Sequence, residues 1–246
     1  MAANGSTKAP RYGWRARLGM LLPSVNTAAE SQFNAMLPDG VSLHTTRLKL
    51  NGGSEQQLLA MADKLEEGAD LLADAGCDLI LFHCTAVTTF NEEMDRTLPK
   101  RITDATGVPA TATSRALIAA FQALDARRIV MVTPYGPATN AREVAFLENH
   151  QVRVLADVGL DVKPAAKMVA VEPGDWYRLV RANAREDAEA YFISCTAVRS
   201  LEVIADLERD LGKPVVTSNQ AAAWHSLRKL GIKDEIAGYG RLLTLQ

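Results

Sequence analysis

Leu79-Ile80-Leu81-Phe82-His83-Cys84-Thr85-Ala86-Val87 has a counterpart 111 residues on, in Tyr191-Phe192-Ile193-Ser194-Cys195-Thr196-Ala197-Val198. Each begins as a short continuous apolar run, the pattern of a strand buried on both faces. Each then turns polar at Cys-Thr-Ala-Val, where a helix is expected to start. Pro23-Ser24 and Pro134-Tyr135 repeat at the same offset, and Gly107-Val108-Pro109 and Gly212-Lys213-Pro214 at 105. Leu18–Leu22, Ile129–Val132 and Val215–Thr217 read as further strands. Between the strands lie helical stretches. Ser54 and Gln57 form a capping-box signature ahead of an apolar face of Leu58, Ala62, Leu65, Ala69 and Leu72, and Gly76 closes it. Leu201, Ile204, Leu207 and Leu211 repeat the pattern before Gly212, as do Trp224, Leu227 and Leu230 before Gly231.

Strands alternating with helices imply parallel βαβ units and a layered α/β class. The ordered repeats imply two similar α/β halves with parallel sheets, 17–125 and 126–235, related by a pseudo-two-fold with the active site in the cleft between them. Residues 1–16 have no periodicity and read as a mobile tail. Residues 236–246 are expected to return and brace the first half.

Composition narrows the function. Of 246 residues, 27 are Lys or Arg and 29 are Asp or Glu, a net charge of −2 that offers no basic surface for nucleic acid. No apolar run is long enough to cross a membrane. Lys8, Arg11, Arg15 and Arg17 precede no apolar leader core. Three cysteines are too few and too odd for a disulfide scaffold, so reduced thiols and a cytoplasmic location are expected. Neither a Gly-rich dinucleotide fingerprint nor a P-loop is present.

Chemistry concentrates in the repeated motif. At the carboxyl edge of a parallel sheet, Cys84 and Cys195 sit where ligands of open α/β folds bind. Backbone amides of Thr85, Ala86, Thr196 and Ala197 would form a nest for an anion there, and their field would lower the thiol pKa from about 8.5. A thiol so placed can serve as nucleophile, acid or base toward a carboxylate. Core packing has no need to duplicate Cys-Thr, whereas Cys77 reads as a small buried apolar group. His83 and Cys84 point to opposite faces of a strand and have no partners at metal-ligand spacing, so no metal site is expected. His44, His150 and His225 are isolated.

With Pro23-Ser24-Val25-Asn26-Thr27, both Cys-Thr motifs, Tyr135 and the run Gly212–Ala221, residues 17–243 resemble the aspartate/glutamate/hydantoin racemase superfamily. Within it the resemblance is to the maleate cis-trans isomerase and arylmalonate decarboxylase branch. That resemblance implies a cofactor-independent enzyme with one cysteine on each side of a small carboxylate. In its isomerases the first cysteine adds to the double bond while the second acts opposite it, and its decarboxylases keep only the second, as proton donor. It also implies that Asn26 and Tyr135 hold substrate carboxylate and that the chain is a homo-oligomer. Asn26 could equally cap the helix that follows it, and Asn140 reads as a helix-start residue. One departure stands out: the isomerases carry a further substrate-binding Asn about thirty residues before the second cysteine, and Val152–Ala182 contains none. The expected function is therefore a two-cysteine isomerase or racemase of a small (di)carboxylate. The alternatives are an arylmalonate-type decarboxylase using Cys195 alone and a carboxylate-binding module without catalysis.

Overall fold

The computed structural model describes residues 12–50 and 55–246. In chain order the elements are β1 (Ala16–Pro23), α1 (Ala29–Met36), β2 (Val41–Leu48), α2 (Glu55–Met61), α3 (Leu65–Asp74), β3 (Leu79–Phe82), α4 (Thr85–Thr88), α5 (Glu92–Thr106), β4 (Ala110–Ala112) and α6 (Thr113–Ala123). There follow β5 (Arg128–Thr133), α7 (Pro137–Asn149), β6 (Arg153–Gly159), α8 (Pro173–Ala182), β7 (Ala190–Ile193), α9 (Ile204–Leu211), β8 (Val215–Thr217) and α10 (Ser218–Lys229). The strands form two four-stranded sheets, ordered β2-β1-β3-β4 and β6-β5-β7-β8, with every pairing parallel. The second order is the first with each index raised by four, and this is the structural form of the sequence echo. Among the described residues no helix is long and apolar enough to cross a membrane.

β3 and β7 are buried along their whole length, as continuous apolar runs require when helices cover both faces. β2 and β6 escaped the sequence reading because each lies at a sheet edge, where polar residues such as His44, Thr45 and Arg47 are tolerated on the wetter face. β4, only three residues long, is too short for its pattern to stand out. The long helix expected after Ser54 is divided by a 3₁₀ turn at Ala62–Lys64. Its apolar face survives, because Leu58, Ala62, Leu65, Ala69 and Leu72 are all buried. The proposed cap at Ser54 lies outside the described residues, as do residues 1–11 of the expected tail. Arg15, within that tail, pairs through two hydrogen bonds of 2.8 and 2.6 Å with Asp234.

The two sheets share one core. Phe121 of α6 meets Phe192 of β7 edge-on, with ring centroids 5.7 Å apart. α10 is the element that crosses over: it belongs to the second sheet's last βα unit yet packs on α6 and α1. Its start is fixed by a reciprocal capping box between Thr217 and Gln220. The segment 236–246 hydrogen-bonds to Glu208, Gly212, Gln220, Trp224 and Arg228, all in the second half.

Candidate active site

β3 delivers Cys84 and β7 delivers Cys195 to the same cavity of about 490 Å³, which both residues line. Cys84 is extended (φ −155°, ψ 104°) immediately before α4. Cys195 has φ +94°, a backbone conformation that costs a non-glycine residue energy and is held by its surroundings. One such contact is the Ala197 amide, which donates to Cys195 Sγ at 3.3 Å. Both thiols are buried, at 6% and 4% exposure, and the charge of each is felt by the other or by shared neighbours.

The expected acidification of the thiols is not found. Burial pushes Cys84 up to about 12, against the opposing pull of the Val87 and Ala86 amides. Burial likewise pushes Cys195 up to about 11, with Tyr135 and the Ala197 amide pulling down. Removing a thiolate from water costs more here than two neutral hydrogen-bond donors return. Both cysteines are therefore neutral thiols at neutral pH. Cys77 is buried beneath β1 and is pushed to about 11 by burial and Asp78, as suits a core residue.

Of the residues singled out from sequence, Asn26, Ala86, Tyr135, Thr196 and Ala197 line the cavity with the cysteines. The Thr85 side chain does not: its hydroxyl donates to Ser218 Oγ at 2.9 Å. Tyr135 draws the Cys195 thiol downward, and burial together with the nearby Cys195 and Glu143 raises its own pKa, so it remains a donor. Asn26 makes the helix-start contacts that the capping reading expects. Its Oδ1 accepts from the Ala28 and Ala29 amides at the start of α1, while its Nδ2 donates to Thr196 Oγ1 at 3.0 Å. Pro23, Val25, Leu50, Leu58 and Met168 supply apolar wall, and Lys163, paired with Asp161 at 2.9 Å, supplies a cation at the rim. Asn140 stays out of the cavity and bonds Thr133 Oγ1 at 2.6 Å.

Behind the cavity lies a polar network whose members the sequence reading did not assign. Ser218 Oγ accepts from Thr85 Oγ1 and, at 3.1 Å, from the Cys195 amide, so one oxygen ties both cysteine loops. Asn219 accepts from His83 Nε2 at 2.8 Å and donates to Gln32 Oε1 and to the Thr196 carbonyl. Gln32 in turn donates to the Val198 carbonyl at 2.7 Å. Burial lowers His83 to about 4, so it is a neutral link between Asn219 and Thr113, not a base. The signal for this hub was present in Gly212–Ala221, since Ser218 and Asn219 open a helix at a sheet's carboxyl edge. Sequence alone does not say which strand loops that helix meets. Among the described residues no cluster of three His, Cys, Asp or Glu side chains is placed to hold a metal.

The family model described as arylmalonate decarboxylase matches residues 18–243. A maleate isomerase of Pseudomonas putida is 26% identical over 242 residues, covering 93% of this chain and 97% of that protein. An arylmalonate decarboxylase of Bordetella bronchiseptica is 27% identical over 229 residues, covering 92% and 95%. Among solved structures, a cysteine-to-serine mutant of Nocardia farcinica maleate cis-trans isomerase matches with a TM-score of 0.88 at 25% identity, over 93% of this chain and 98% of that one. It contains a covalently bound succinylcysteine intermediate.

Proposed function

The chain belongs to the arylmalonate decarboxylase family, and within it we propose a cofactor-independent cis-trans isomerase of a small unsaturated dicarboxylate of the maleate kind. The observation that carries this reading is the pair of cysteines. Two thiols from equivalent strand ends line one cavity, whereas a decarboxylase needs a single proton donor and a binding module needs neither. The similarity to maleate isomerases, one of them solved as a succinylcysteine adduct, supports the same reading.

In this reading Cys84 Sγ adds to one alkene carbon, passing its proton to a substrate carboxylate. The π pair moves to the neighbouring carbon, where the adjacent carboxylate spreads the charge. Cys195 gives that carbon its proton, leaving a succinyl thioether with a single bond free to rotate. After rotation the Cys195 thiolate takes the proton back, the C–S bond breaks, and Cys84 recovers its own proton from the carboxylate. The neutrality of both thiols at rest suits this cycle, because Cys195 must begin as an acid. In this reading Tyr135, which lines the cavity with Cys195, donates to one substrate carboxylate. Asn26 has a second amide hydrogen besides the one given to Thr196, and that hydrogen can serve the other carboxylate. Lys163 at the rim can take the part left vacant by the absent asparagine. We extend the proposal to a homo-oligomer in a reducing, cytoplasmic setting, which light scattering and fractionation check.

The experiment is ¹H NMR in D₂O with maleate, aspartate, glutamate, a hydantoin and an arylmalonate. Conversion of maleate to fumarate supports the reading. Decarboxylation of the arylmalonate with maleate untouched replaces it by the family's other chemistry.

A further inference from the structure

Glu143 of α7 is a buried carboxyl to which the cycle above gives no part. It is 1% exposed. Its Oε1 accepts from Ser194 Oγ at 2.6 Å, and its Oε2 is buried with no partner. Ser194 directly precedes Cys195, the residue held at φ +94°. An apolar side chain would fill this position at lower cost, since a carboxyl removed from water must be satisfied or remain neutral. Instead an acidic group stands behind the Cys195 thiol, where the residue preceding Cys84 is the neutral, fully bonded His83.

We propose that Glu143 is a positioning residue for Cys195: its carboxyl anchors Ser194 and so the strained Cys195 backbone, and when ionised its charge holds the proton on the Cys195 thiol. This assignment rests on the two-cysteine reading of the same site. Among the described residues, burial and the Ser194 hydrogen bond set its ionisation, with no cation contributing. Toward the cavity it faces the Cys195 thiol and the Tyr135 hydroxyl, both raised by its field, with Cys84 beyond them. On α7 itself Arg142 turns to the Phe90 ring, 4.6 Å from its centroid. From β6, Asp157 is met by Asn140. Burial lifts Glu143 to about 7 while the Ser194 hydrogen bond pulls it down, so its charge appears across the neutral range. Below that range a dicarboxylate enters a site without a buried negative charge beside Tyr135. Above it, that charge opposes the substrate and stiffens the hold of Cys195 on its proton.

The test needs no substrate. In a Cys77→Ser, Cys84→Ser background, iodoacetamide alkylates Cys195 alone, and the rate tracks its thiolate. Glu143→Gln keeps the size and an acceptor for Ser194 but cannot ionise. At pH 8 it is expected to speed alkylation at least about threefold, the effect of removing one charge several Å away through partly polar protein. An equal or slower rate overturns the proposal. If the variant does not fold, ¹³C NMR of the carboxyls in the Glu143 protein decides. A Glu titrating near 7 that moves when Cys195 is alkylated supports the assignment, and none doing so overturns it. In the fully native chain, kcat/KM for maleate should fall through neutral pH with the rise in KM, and Glu143→Gln should flatten that limb. Absence of maleate turnover in the unsubstituted enzyme would count against the proposed reaction, while the alkylation rates would still judge Glu143.

Discussion

Ser218→Ala removes a single oxygen that joins the two cysteine loops, and the structure allows its cost to be worked out. Ser218 is fully buried, and its Oγ accepts from the Thr85 hydroxyl at 2.9 Å and the Cys195 amide at 3.1 Å. The Thr85 hydroxyl can rotate toward another acceptor, so its loss costs at most about 1 kcal/mol. The Cys195 amide is fixed by the backbone and would be left buried without a partner, costing about 1–3 kcal/mol. The sum, about 1–4 kcal/mol, should lower Tm by roughly 2–16 °C in a chain of this length. Turnover should suffer more than stability suggests. Without the bridge the strained Cys195 loop can drift relative to Cys84, and a misplacement of about 1 Å costs on the order of 100-fold in rate. Ser226→Ala is the matched control: the same helix, the same change, and a buried hydroxyl with no partner. It should leave Tm and kcat/KM nearly unaltered. Differential scanning fluorimetry and NMR-monitored maleate turnover read both variants. Equal Tm shifts in the pair, or kcat/KM of Ser218→Ala within about twofold of wild type, would refute the argument that this oxygen sets the thiol geometry.

Cys84→Ala and Cys195→Ala should each abolish isomerisation while circular dichroism shows an intact fold; sustained turnover by Cys84→Ala points to single-thiol chemistry. Tyr135→Phe removes a donor to a charged group, worth about 1.5–3 kcal/mol, and should lower kcat/KM by about 10–100-fold; steady-state kinetics with an unchanged kcat/KM takes Tyr135 out of the site. Gly159→Ala should disturb the same tyrosine from behind, because a Cβ there would overlap the Tyr135 carbonyl oxygen; a crystal structure with an unmoved Tyr135 loop contradicts that. Acid should destabilise the fold between pH 6.5 and 4. His83 and His225 are held at about 4, below their unfolded value, so the unfolded chain binds the extra protons. Glu143, raised to about 7, works the other way as pH falls. Two histidines against one carboxyl leave a net loss of about 2 kcal/mol by pH 4.5. Urea midpoints at pH 7 and 4.5 that coincide would refute this, and His83→Gln should reduce the difference.

The fold was legible where burial is uniform. β3 and β7 are covered on both faces, so every residue had to be apolar and the runs stood out, each ending at its cysteine. β2 and β6 were not legible, because an edge strand half in water admits His44, Thr46 and Arg47, or Arg153 and Asp157, without penalty. The crossing of α10 onto α1 and α6 was equally invisible. Its sequence specifies an apolar face and a capping box, but nothing in a periodicity names the surface that face will meet.

The site divides along the same line. Residue types and their order brought Cys84, Cys195, Asn26 and Tyr135 together, because each follows a strand whose carboxyl end must lie at one edge of its sheet. Their electrostatics could not be read that way. Of the four amides predicted to acidify the thiols, those of Ala86 and Ala197 pull downward, joined by Val87, yet burial outweighs them at both cysteines. That balance depends on how completely α1, α10 and the Ala165–Ala170 turn close over the strand ends, which is a property of the packed chain and of no single motif. The same closure buries Ser218, Asn219 and His83 as a fully bonded network and leaves Glu143 with one oxygen unmatched. A site sealed this tightly holds its thiols neutral until a substrate brings its own charge. In the proposed cycle Cys195 therefore starts as an acid, whatever its neighbours' amides would do in water.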